Sequence, residues 1–69
     1  MDTIARVHEL ADQRQISMYR LAQLSGISLT TIRMAERRGG QLKIDTIEMI
    51  CQGLGIPLSV FFTEPEVKQ

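Results

Sequence analysis

The sequence has a single cysteine, a single histidine, two prolines and no excess charge, and it contains no long apolar run. Each shortage excludes something. A lone Cys51 cannot close an internal disulfide, and one Cys with one His supplies too few ligands for an ordinary metal site; a reducing cytoplasm fits best. The start MDTIARVHEL lacks a basic region followed by an apolar stretch, and no apolar run approaches the roughly 18 residues that span a bilayer, so neither secretion nor membrane insertion is expected. Eight basic side chains balance eight acidic ones, so bulk charge gives no pull toward nucleic acid or membrane. No nucleophile stands beside an evident base, no carboxylate pair asks for a special pKa, and no glycine loop has phosphate-cradling spacing. An enzyme, a cofactor and a small-molecule ligand are therefore not expected.

What is present fits one small domain. At 69 residues and 43% apolar content, nearly all the apolar side chains are needed for a core, which leaves function to the surface. Ile4, Val7, Leu10 and Ala11 recur at spacings of three and four, the period of one helix face, from about Asp2 to Gln13. Ser17 precedes a second apolar-patterned stretch that stops at Ser25-Gly26, and Ser28 precedes a third, with Ile32 and Ala35 inward, to about Arg37. After a Gly39-Gly40-Gln41 loop, Leu42 and Ile44 are expected in the core. Asp45 stands where a fourth helix starts, with Ile47, Ile50, Cys51 and Leu54 on one face and Gly53 as a mild defect. Pro57 suits the first position of a last turn through Leu58, Phe61 and Phe62. Strict alternation is absent, so the expected fold is all-α with five helices. The domain should occupy residues 1–63, with 64–69 a short polar tail.

Two short helices joined by a tight glycine turn, the second with a polar outer face, form the pattern of a DNA-binding helix-turn-helix. The series Ile16-Ser17, Leu21-Ala22, Gly26-Ile27-Ser28, Ile32 and Glu36, followed by Thr46-Ile47, Ile50, Leu54-Gly55-Ile56 and Phe61-Phe62, resembles the XRE family, the Cro and phage-repressor type. The resemblance covers about residues 4 to 62. It implies a compact five-helix, lambda-repressor-like domain that binds operator DNA as a homodimer. The chain departs from the family where Gly is frequent, at Arg38, and where Pro is frequent, at Leu42. The loop after the third helix should then use Gly39 or Gly40 for positive φ. A first-helix Arg that often pairs with the Glu is replaced by Ala11, so Glu36 must find another partner, cap a neighbouring helix or face solvent.

On this reading the third helix, about 28–37, lies in the major groove with Leu29, Thr30, Arg33 and Met34 toward the bases. Arg33 is the best direct reader, because its planar fork matches guanine O6 and N7. Arg37, Arg38 and Lys43 suit phosphates, as do backbone and hydroxyl groups at Ser17, Met18, Ser28 and Gly40 and the Tyr19 hydroxyl. Residues 20 to 43 hold five cations against Glu36 alone, a local excess of four that the rest of the chain cancels. Such a dipolar distribution steers DNA toward one face.

Two surfaces remain open to a second reading. Met18, Leu29 and Met34 are apolar where relatives often carry polar base-reading side chains. They either read thymine methyls or mark a protein-binding face, which would make the chain an antitoxin- or anti-repressor-like interaction module. Leu58, Val60, Phe61 and Phe62 cannot all face inward on one turn, so Leu58, Val60 and Phe62 are expected at a twofold dimer interface. His8 is assigned no role, and Cys51 is read as a small buried hydrophobe.

Overall fold

A computed structural model describes residues 1–63; segment 64–69, expected as a tail, lies outside the described residues. Five helices follow in order: α1 (Thr3–Gln13), α2 (Met18–Ser25), α3 (Leu29–Arg37), α4 (Ile44–Leu54) and α5 (Leu58–Phe61). The first three start at side-chain caps. Asp2 accepts the Ala5 amide at 3.0 Å, Ser17 that of Arg20 at 3.0 Å and Ser28 that of Thr31 at 3.3 Å. The fourth start differs from expectation. Lys43 holds the cap position with no side-chain bond, and Asp45 lies inside the first turn, where its charge favours the helix dipole. Pro57 likewise precedes α5 as its cap residue and is not its first helical residue.

Four helices end on the same closure. The amides of Ile16, Ile27, Gly40 and Ile56 reach back five residues to the carbonyls of Ala11, Ala22, Ala35 and Cys51, at 2.9–3.1 Å. Each closure passes through a residue of positive φ, which is Gly26, Gly39 and Gly55 in three cases and Gln15, at φ 57°, in the first. Glutamine there pays the steric penalty that glycine avoids.

The apolar faces meet in one core built on Val7, Leu10, Leu21, Ile32, Ile50 and Phe61, all essentially inaccessible to water. Full burial of each such side chain is worth about 1.5–3 kcal/mol, and this mutual packing is what makes helices of 4–11 residues persist. Leu42 packs at the core's edge, but Ile44 does not enter it. At 53% exposure Ile44 faces outward, because starting α4 one residue earlier turns it away.

α4 packs chiefly on α2, and Gly53 sets how closely. A methyl at Gly53 would stand 2.6 Å from the Leu24 carbonyl oxygen and 2.8 Å from Ser25 Cα. The residue that reads as a defect in the sequence is the contact point of two backbones.

Candidate nucleic-acid interface

α2 and α3 are joined by Gly26, Ile27 and Ser28, with Gly26 at φ 72°. Ser25, buried at the end of α2, donates its hydroxyl to the Leu21 carbonyl at 2.8 Å, and Ile27 packs against the core. The turn is thereby fixed from within. α3 buries Ile32 and Ala35 and turns Thr30, Arg33, Met34 and Arg37 to solvent. Its outer face is thus polar and basic with one methionine, 48% exposed, among the arginines.

Of the four residues expected to face bases, Thr30, Arg33 and Met34 are exposed on the outer side of α3. Leu29 is half-buried and packs on the core, as does Met18 at the start of α2. First-turn side chains lean back over the preceding turn, which carries these two toward the helix-turn-helix seam. The apolar face of Met18, Leu29 and Met34 is reduced accordingly to Met34.

Around α3 the candidate phosphate ligands are exposed: Ser17, Tyr19, Ser28, Arg37, Arg38 and Lys43. Ser17 is engaged as a cap, and it satisfies only the Arg20 amide. The amides of Met18 and Tyr19 have no carbonyl within their own helix and point out of its N-terminus. Arg38 and Lys43 flank an open cleft of about 230 Å³ between α3 and the start of α4, lined also by Thr31, Met34, Leu42 and Thr46. Gly40 does not belong to this set. Its amide donates to Ala35 at 2.9 Å, and its carbonyl accepts from the Ile4 amide at 3.1 Å and the Thr3 hydroxyl at 3.0 Å, so neither backbone group is free for a phosphate.

Three residues that the sequence did not single out hold this surface in place. Thr3, buried on α1, donates to the Gly40 carbonyl and accepts the Leu42 amide at 2.7 Å, which pins the loop that follows α3. Arg6 points its guanidinium at the end of α5, donating to the carbonyls of Val60 and Phe61 at 2.7 Å each, and pairs with Glu9. His8 supplies the partner that Glu36 lacks, with Nε2 3.1 Å from Oε2. Spacing within a helix carries no signal for such contacts between residues 28 to 55 positions apart.

On α5, Phe61 is fully buried, whereas Leu58, Val60 and Phe62 are 36%, 41% and 43% exposed. The chosen three therefore share the outside of one turn. Cys51 is buried, and desolvation, with a smaller effect from Glu48, pushes its thiol pKa up. Among the described residues no cluster of His, Cys, Asp or Glu could hold a metal, and no helix is long and apolar enough to cross a membrane.

A rigid two-helix unit with a glycine turn, its second helix basic outside and apolar inside, defines a helix-turn-helix protein. Residues 7–61 match the family model described as helix-turn-helix, and the chain belongs to that XRE-type family of DNA-binding transcriptional regulators. It is similar to the HTH-type transcriptional regulator PuuR of Escherichia coli (strain K12) and of Shigella flexneri, each 34% identical over 61 residues, 88% of this chain and 33% of the relative. It is also similar to the HTH-type transcriptional regulator SutR of Escherichia coli (strain K12), 31% identical over 71 aligned positions, 96% of this chain and 40% of the relative. The chain thus spans between a third and two fifths of the length of these relatives. No solved structure matches at a significant level.

Proposed function

We propose that residues 1–63 form one DNA-binding domain that acts in the cytoplasm as a sequence-specific repressor, binding an inverted-repeat operator as a homodimer. The observation that carries this reading is the outer face of α3, where Thr30, Arg33, Met34 and Arg37 project from a helix whose other side is locked in the core. Arg33 pairs with guanine O6 and N7, Thr30 meets a neighbouring base or phosphate, and Met34 packs on a thymine methyl. Tyr19, Ser28, Arg37, Arg38 and Lys43, with the free amides of Met18 and Tyr19, take backbone phosphates on either side. Leu58, Val60 and Phe62 meet the same residues of a second copy and set two copies of α3 about one helical turn of DNA apart, roughly 34 Å. Occupancy of the operator then excludes polymerase.

The test is selection of binding sites from randomised duplex DNA by the purified protein at near-physiological salt. An enriched inverted repeat is the expected result. Recovery of unrelated sequences with only weak, salt-sensitive retention refutes the reading.

A further inference from the structure

Glu36 is shared unequally between two partners. His8 on α1 brings Nε2 to 3.1 Å from Oε2, a hydrogen bond, whereas Arg33 on the same helix brings its guanidinium only to 3.6 Å from Oε1, outside hydrogen-bond range. The Glu36 side chain is 31% exposed, and that of Arg33 is 58% exposed. Arg33 and Glu36, three positions apart, are thus an ion pair without a hydrogen bond, at a spacing where opposite charges readily close to full hydrogen-bonded contact. A guanidinium held in that way lies along the helix. One left loose extends away from it.

We propose that His8 is a specificity-determining positioning residue: by holding the Glu36 carboxylate through Nε2–H, it keeps the Arg33–Glu36 ion pair from tightening to a hydrogen bond and leaves the guanidinium able to reach a base edge. This inference rests on the reading of α3 as the helix in the major groove. His8 itself sits on α1 behind α3 and touches no DNA in that arrangement. Its effect is therefore selective for the base pair that Arg33 reads, and phosphate contacts are unaffected.

The experiment compares the native chain with Arg33→Ala, His8→Ala, His8→Gln, Glu36→Gln and the double variant His8→Ala/Glu36→Gln, after thermal melts of each. The base pair read by Arg33 is first located as the position where Arg33→Ala loses preference in the selected operator. Affinities are then measured for that operator and for one with this base pair exchanged. His8→Ala should lower discrimination at that position about fivefold, the low end of one bidentate arginine contact, and leave other positions unchanged. His8→Gln, whose amide N–H can replace Nε2–H, should keep it, and Glu36→Gln should restore it in the His8→Ala background. Unchanged discrimination in His8→Ala, equal loss at every position, or failure of Glu36→Gln to restore it overturns the proposal. If the native chain selects no motif, or Arg33→Ala alters no base preference, the reading of α3 falls and this inference with it; an Arg33-dependent motif indifferent to His8 removes the inference alone.

Discussion

Alanine at Gly53 sets two opposed effects against each other, and the structure decides between them. In a helix interior, replacing glycine with alanine ordinarily stabilises by about 1 kcal/mol, because the backbone has less freedom to lose. Here the added methyl would lie 2.6 Å from the Leu24 carbonyl oxygen and 2.8 Å from the Leu24 carbonyl carbon and Ser25 Cα. Those distances are about 0.7–1 Å short of an ordinary contact. All three atoms are backbone, so no rotamer change relieves the clash and α4 must move off α2. Opening a packed seam against rigid backbone costs about 2–3 kcal/mol, the upper part of the overpacking range, from which the gain of about 1 kcal/mol from propensity is subtracted. For a domain of this size the net loss of about 1–2 kcal/mol should lower Tm by roughly 5–15 °C. Circular dichroism followed through thermal and urea unfolding measures it. A variant as stable as the native chain, or more so, would mean that the α2–α4 approach is looser than described, and the argument from close packing would fail.

Other outcomes follow from the same geometry. Arg33→Ala should cost about 1–3 kcal/mol against the selected operator and relax one base position, whereas Arg38→Ala should weaken binding to all sequences and reduce the salt slope; identical profiles for the two would contradict the division between base and phosphate contacts. Gln15→Gly should raise stability by up to about 1 kcal/mol in urea unfolding, because the side chain at φ 57° is strained; a loss would show that the strain is absent. Val60→Asp with Phe62→Asp should leave a folded monomer by sedimentation, and an unchanged mass with native circular dichroism would remove the proposed dimer surface. The buried Cys51 thiol keeps its proton in the fold, so above about pH 8.5 the unfolded chain binds fewer protons and stability should fall as pH rises. Cys51→Ala should flatten that slope, and an equal slope in both proteins would assign it to other groups.

Much of the fold was legible because its boundaries are local. Asp2, Ser17 and Ser28 each cap the helix that their position suggests, and Gly26 and Gly55 each close one. The outward placement of Thr30, Arg33, Met34 and Arg37 follows from the buried spacing of Ile32 and Ala35. The errors arose where a residue's role depends on a distant partner. Gly53 reads as a weak helix residue until Leu24 is beside it, and Gly40 reads as a free loop amide until its groups are found bonded to Ala35, Ile4 and Thr3. Met18 and Leu29 have the right period to face outward but lie at helix starts, where the neighbouring helix covers them. His8 and Arg6 gave no signal, since a polar residue on an amphipathic helix reads the same with or without a partner across the fold.

The grip of Arg6 on α5 has a bearing on the order in which the protein is made. Arg6 is synthesised 54 and 55 residues ahead of the two carbonyls it holds, those of Val60 and Phe61. Throughout elongation its guanidinium is without those acceptors, and the hole that Phe61 fills stays open on the growing domain. Every residue proposed to touch DNA has by then been added. A nascent chain halted short of Val60 therefore carries the whole proposed reading surface without the seam between α1 and α5, and the domain closes only when α5 is added.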